Sequence, residues 1–300
     1  MRNAAMAACA AAALHATAAS AEHHEAVPEL TGGAANLSQE ATRAAAQLVK
    51  EGKTYRLGLV TGYDTPAYPG RSYEIEIIDL GTNGSNRVSG HDDRVNTYLG
   101  IGSQIDGLGH VGTDGVHFGG VRAEEIFDEK GLRGLSAAEI PAIATRGVLI
   151  DMTRHFGVDR LEPGASFDSG DIRAAAADQG VTIGKGDVVL FHTGWLDMIG
   201  DPETFIANQP GIDTDGARYL AELGVVAVGS DTPGLETATQ PEGQFIPVHQ
   251  LLIAEYGVYI LETLDTRELA ADEVTEFLFV LGAPRFEGSV QAVINPVAIR

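Results

Sequence analysis

Short apolar runs of strand length recur along this chain, separated by helical patterns that start on capping residues and stop on glycine, and this alternation limits the available folds more than any other feature. The β-rich runs lie at about 54–60, 72–79, 147–152, 187–193, 225–230, 258–264 and 276–281. An amphipathic helix is expected over about 37–51, with Ser38 as its N-cap and Gly52 as its stop, and a second over about 171–179, where Ser169 caps the start. A third spans about 213–223 and closes at Gly224; a fourth starts near Pro247, carries His249 in its first turn and stops at Gly257. Strands interleaved with helices, without a fixed-period repeat, place the chain in the α/β class. The pattern alone does not separate a doubly wound sheet from other mixed arrangements.

Three hundred residues with 44% hydrophobic content can bury a full core. The 42 acidic residues outnumber the 20 basic ones and give a formal charge of −22, which excludes a phosphate backbone as an expected partner. No stretch of about 20 apolar residues marks a membrane span. Residues 1–21 read as a signal peptide: Arg2, an alanine-rich apolar stretch from Ala4 to Leu14, and the small-residue site Ala19-Ser20-Ala21. The alternative is an alanine-rich tail. On the first reading the mature protein is periplasmic or secreted, and on the second it is cytoplasmic. Residues 22–53 then form an N-terminal extension and helix, and 54–300 form the main domain with no internal linker. Cys9 is the only cysteine and on the signal-peptide reading would leave with that segment, which would exclude disulfides, thiol nucleophiles and thiolate ligands.

Chemistry therefore rests on carboxylate, imidazole and amide groups. Gly102-Ser103-Gln104-Ile105-Asp106-Gly107-Leu108-Gly109-His110 concentrates all three. If 102–106 run extended, Gln104 and Asp106 project to one face, and the glycines allow a turn that returns His110 beside them. This is half of a metal site, or else a glycine-rich loop whose polar groups satisfy one another. His91, His155 and His192 stand singly and read as structural or solvent-facing, His192 as a hydrogen-bonded core residue in an apolar strand. His110, His117 and His249 remain. Glu262 ends the apolar run Val258–Leu261, where an unpaired carboxylate is costly, so a cation or a hydrogen-bond partner is expected there. No G-x-S-x-G elbow supports a serine hydrolase.

The glycine-rich segment resembles a degenerate form of the H-x-G-T-H-x-D-x-P-x-H signature of the metal-dependent cyclase/hydrolase family. Gly100 stands at its first histidine, Gln104 at its second and Leu108 at its proline, while Asp106 and His110 are kept. Arg146-Gly147-Val148-Leu149-Ile150-Asp151, Gly186-Asp187-Val188-Val189-Leu190 running into Thr193-Gly194-Trp195, Val228-Gly229-Ser230-Asp231 with Leu235-Glu236, Pro247-Val248-His249, Leu261-Glu262 and Asn295-Pro296-Val297-Ala298 follow in the family's order. The resemblance covers about residues 54–300, and the glutamine points toward the trans-dienelactone hydrolase-like branch. It implies a swivelling β/β/α fold with a mixed sheet and a barrel-like core.

The resemblance also implies a metal site of Gln104, Asp106, His249 and Glu262, with His110 in proton transfer, or else as a ligand itself. Such an oxygen and nitrogen donor set suits Mn²⁺ or Zn²⁺, with the oxygen content favouring Mn²⁺. Gly100 and Gln104 remove two nitrogen donors, which argues against a two-metal centre. Tyr63, Tyr68, Phe118 and Trp195 flank family motifs and His117 lies close to one, so these are the expected pocket walls; core packing is the alternative for the aromatic residues. The expected activity is hydrolysis of a lactone or cyclic amide in a small carbonyl substrate by a metal-activated water, in a homo-oligomer (dimer or tetramer). Arylformamidase activity and a non-catalytic small-molecule-binding relative are the alternatives.

Overall fold

The computed structural model describes residues 30–300. The expected signal segment 1–21, Cys9 and the first part of the N-terminal extension lie outside the described residues. Nine strands make one mixed sheet: β1 Thr54–Arg56, β2 Gln104–Asp106, β3 Ile143–Asp151, β4 Val188–His192, β5 Ala227–Ser230, β6 Tyr259–Glu262, β7 Glu276–Leu281, β8 Gln291–Val293 and β9 Val297–Ile299. Their order across the sheet is β1-β9-β7-β3-β4-β5-β6-β2-β8. The central strands β3, β4, β5 and β6 run parallel, and the remaining pairings are antiparallel.

The connection from β8 to β9 dictates the shape. Only residues 294–296 separate them in sequence, yet they occupy the last and the second position of the sheet. Seven flat inter-strand spacings of about 4.8 Å would hold them roughly 34 Å apart. The linker reaches no more than about 14 Å. The sheet therefore curls until its two ends nearly meet, giving the barrel-like core that the family resemblance implies. Alternation along the strands sorts the side chains. Leu149, Val188, Leu190, Ile105, Leu261, Phe277, Phe279 and Ala292 fill the inside of the curl. Val148, Ile150, Val189, Phe191, Val228 and Ile260 point the other way, against the helices.

Those helices are Ser169–Asp178, Thr214–Leu223 and a segment running from Pro247 to Glu255. Asp168, rather than Ser169, caps the first, accepting from the backbone N–H groups of Gly170 and Asp171. Asp213 caps the second, which ends on left-handed Gly224. The third is α-helical over Pro247–His249 and widens to a π-helix over Gln250–Glu255. The N-terminal helix covers only Gln39–Ala46, capped by the Ser38 hydroxyl, because the chain then turns so that the Glu51 and Gly52 N–H groups reach the carbonyl of Arg300.

One of the expected strands lies outside the main sheet. The run at 72–79 belongs to Tyr73–Asn83, which pairs with Val88–Thr97 in a separate two-stranded hairpin whose residues are mostly exposed. Its alternation Tyr73-Glu74-Ile75-Glu76-Ile77 is that of a strand with one face open to water rather than of a buried one. Among the described residues no helix is long and apolar enough to cross a membrane.

Candidate metal centre

Strand register brings the two halves of the site together. β2 lies between β6 and β8, with Gln104 opposite Glu262 and Val293, and Asp106 opposite Ile260 and Gln291. Residues two apart share a face, so Gln104, Asp106, Glu262 and Gln291 line the outer face while Ile105, Leu261 and Ala292 enter the barrel core. His249, in the first turn of the Pro247–Glu255 segment, reaches this face. Its Nε2 lies 3.0 Å from Glu262 Oε1 and 3.5 Å from Asp106 Oδ2. One ligand atom from each of Asp106, His249 and Glu262 lies within 4.8 Å of the others, and all three residues are buried.

The imidazole is held from behind. Glu236 Oε1 accepts from His249 Nδ1 at 2.5 Å and from the His249 N–H at 3.1 Å, and its Oε2 accepts from the Val248 N–H at 3.2 Å. One carboxylate thus satisfies free N–H groups at the start of a helix and fixes the tautomer that leaves Nε2 facing the carboxylates. The backbone is strained on every side of this arrangement. Leu235 (φ +58°), Ile246 (φ +42°) and Thr263 (φ +54°) adopt left-handed conformations next to Glu236, Pro247 and Glu262. Each costs of order 1–3 kcal/mol, and such strain clusters where side-chain placement matters.

Asp106 carries the most telling feature. Its Oδ1 accepts from Gln291 Nε2 at 2.7 Å, but its fully buried Oδ2 has no hydrogen-bond partner. Its neighbours are His249 Nε2 at 3.5 Å and His110 Nε2 at 4.0 Å. An orphaned buried carboxylate oxygen is expensive. Beside a second carboxylate and an imidazole nitrogen, it makes a donor set that fits a divalent cation such as Mn²⁺ or Zn²⁺.

The local electrostatics agree with that fit. Burial, reinforced by the Asp106 charge, pushes the Glu262 carboxyl up to about 7. Burial also opposes ionisation of Asp106, but the neighbouring His110 and His249 rings and the Gln291 amide outweigh it and hold the group below its usual value. Burial works against a charged His249, yet its Asp106, Glu236 and Glu262 partners raise it well above an ordinary imidazole. His110 is lowered, chiefly by burial, and is therefore a neutral base near pH 7.

The residues singled out from the sequence are only partly brought together. Gln104 turns its amide nitrogen to Glu262 Oε2 at 2.5 Å, so here it steadies a carboxylate. His110 sits beside Asp106 with a side chain 22% exposed, more open than His249 at 7%. Ser103 donates to the carbonyl of Thr263, the residue after Glu262. His117 is buried in the following loop, its ring 5.8 Å from Phe127, and Phe118 packs against Gly257. Tyr63 is exposed on the hairpin side and hydrogen-bonds the backbone of Ile75. Trp195 is fully buried, donates from Nε1 to the carbonyl of Phe205, and packs with Leu196 and Phe205 in a small core. Tyr68 and, unforeseen, Arg71 lie near the cluster: both Glu262 and Asp106 act on the Tyr68 hydroxyl, and Arg71 acts on Glu262 and His110. Sequence reasoning also missed the roles of Glu236 and Gln291. Leu235-Glu236 stood in the family pattern as a signal for the first; Gln291 lies in a three-residue strand and offered none.

Comparison with known proteins identifies the family and the fold. A family model described as Cyclase, putative cyclase, matches residues 35–237. Kynurenine formamidase of Bacillus cereus is 26% identical over 162 residues, covering 50% of this chain and 76% of that protein. A crystal structure described as a novel cyclase superposes with a TM-score of 0.82 at 26% identity, covering 90% of this chain and 96% of that one. Isatin hydrolase A from Ralstonia solanacearum shares the fold with a TM-score of 0.62 at 17% identity, over 88% of this chain and 98% of its own.

Proposed function

Because the chain belongs to the Cyclase family, whose model spans residues 35–237, we propose that it is a metal-dependent hydrolase that opens a lactone or cyclic amide in a small carbonyl substrate. The observation that carries this reading is the buried, unpartnered Asp106 Oδ2 set against His249 Nε2 and Glu262 Oε1. Asp106, His249 and Glu262 would hold Mn²⁺ or Zn²⁺. When bound, the cation supplies Lewis acidity, lowering the pKa of water and polarising a carbonyl oxygen. Gln104 holds Glu262, and Glu236 holds His249, so the donor atoms need no reorganisation. His110, neutral and partly open, takes the proton from the attacking water at Nε2 and returns it to the leaving oxygen or nitrogen.

The formamidase relative favours a second reading, hydrolysis of an acyclic arylformamide by the same groups. A panel of dienelactones, isatin, N-formylkynurenine and simple lactones, run alongside elemental analysis, separates the two. His110→Ala is expected to keep its metal and to lose about 10²–10⁴ in kcat with little change in KM. Metal lost in step with activity would make His110 a ligand. A wild-type protein with neither metal nor turnover would replace the enzyme by a small-molecule-binding protein.

A further inference from the structure

Arg71 brings a fixed positive charge to an acidic cluster without being neutralised there. In a chain with 42 acidic residues, the one hydrogen-bond acceptor its half-buried guanidinium finds among the described residues is the carbonyl oxygen of Gly100. A Cβ built on Gly100 would lie 2.7 Å from Arg71 Nη1 and 2.4 Å from Gln291 Oε1. Gln291 in turn donates to Asp106 Oδ1 at 2.7 Å. The missing side chain at position 100 is therefore the clearance through which the guanidinium approaches the Asp106 end of the cluster. Tyr68 fixes the orientation of the fork, its ring centroid 5.2 Å from Arg71 Cζ. The Tyr68 hydroxyl borders Gly234, two residues before Glu236. Burial and the Glu262 charge keep that hydroxyl protonated and hence a donor.

A guanidinium has five N–H donors in a planar fork, and Gly100 uses one edge of it. We propose that Arg71, stacked on Tyr68, recognises a carboxylate on the substrate, so that the preferred substrate is a carboxylate-bearing lactone or amide. The proposal rests on the hydrolase reading for the reacting carbonyl, and on Arg71 itself for the anion. Charge complementarity supports a substrate carboxylate as the occupant. A protein with a formal charge of −22 repels anions at long range, and a stacked, unpaired arginine beside the site offsets that repulsion where the substrate docks.

Calorimetric titration of the metal-loaded protein with benzoate and with its neutral counterpart benzamide tests this directly. The wild type is expected to bind benzoate about tenfold or more tightly than benzamide. Arg71→Gln should abolish that preference with metal content and melting temperature unchanged, and Tyr68→Phe should weaken it. Equal binding of the two probes by the wild type, or a full preference in Arg71→Gln, would overturn the proposal. Benzoate held by the metal alone would give the second result. If Arg71→Gln folds poorly or drops its metal, Arg71→Lys decides. It keeps the charge without the fork, and the preference should fall at least threefold; an unchanged preference would overturn the proposal. An Arg71-dependent preference in a protein that hydrolyses nothing on the panel would remove the hydrolase reading and leave the carboxylate site standing.

Discussion

Among the described residues, two buried aspartates each face a histidine, and the two pairs differ in how far their hydrogen-bonding capacity is used. His192, the last residue of β4, meets Asp231, the residue just after β5, with Asp231 Oδ2 3.5 Å from His192 Nδ1. Asp106 and His249 meet at the same separation on the outer face of β2 and β6. Both aspartates are fully buried. Asp231 has spent its acceptors: Oδ1 takes the Thr193 N–H at 3.0 Å, the Thr193 hydroxyl at 2.5 Å and the Ser230 hydroxyl at 3.3 Å, and Oδ2 shares the Thr193 N–H. His192 is occupied by the Thr266 hydroxyl at 2.7 Å. Asp106 keeps one oxygen unspent. Burial and residue type do not separate the two carboxylates; unused acceptor capacity does, and it is what makes Asp106 the candidate ligand.

The sharpest way to break this contrast is to neutralise each aspartate without changing its shape. Asp106→Asn should fall below stoichiometric metal and lose hydrolysis to the detection limit, with a small change in melting temperature. Glu262→Gln should follow it. Asp231→Asn should retain full metal but lose about 1–3 kcal/mol of stability, since an amide donor would then face the Thr193 N–H or hydroxyl. Elemental analysis and thermal unfolding on the same samples decide it. Equal metal loss in both variants would mean that the two pairs do not differ in function.

A smaller effect is expected one step behind the donor atoms. Glu236 is not placed to touch a bound cation, yet it holds His249 by its ring and its backbone. Glu236→Gln should weaken metal affinity about 10–100-fold. Competition with a chromophoric chelator measures this. An unchanged affinity would show that helix packing alone orients the imidazole.

Why the sequence reveals some of this and hides the rest follows from the length over which each signal is written. β7 is apolar from Phe277 to Leu281 and reads directly as residues 276–281; Gly224 marks the end of its helix because a left-handed residue closes it. Asp106 and Glu262 are legible because one sits among glycines and the other ends an apolar run. Gln104–Asp106, Gln291–Val293 and Val297–Ile299 are three residues each, too short to carry a period, so the strands that close the barrel leave little trace. Val88–Thr97 is too polar to announce itself as the partner of Tyr73–Asn83. The widening to a π-helix after His249 has no composition of its own. Glu236 contacts a residue thirteen positions away across a connecting loop, and Trp195 packs inward for reasons that only Phe205 and Leu196 reveal.

The gentlest test of the contrast is pH. In the metal-free protein Glu262 titrates at about 7, raised first by burial and then by the Asp106 charge, while His249 is held protonated to well above the ordinary imidazole range by its three carboxylate neighbours. A cation takes the deprotonated form of each, so binding must expel whatever proton is present. Below about 7 both groups carry one, and affinity should fall by up to two powers of ten per unit of pH; above it only His249 does, and the slope should ease toward one. The sign is fixed: acid weakens binding, because protons and metal compete for the same oxygen and nitrogen. Chelator competition between about pH 5.5 and 8.5 reads the slope. Asp231→Asn should leave the curve unmoved, whereas Glu262→Gln, which removes one of the two titrating groups, should lose the steeper acid limb on top of its weaker binding. A pH-independent affinity in the wild type would mean that the cation is not held by Glu262 and His249.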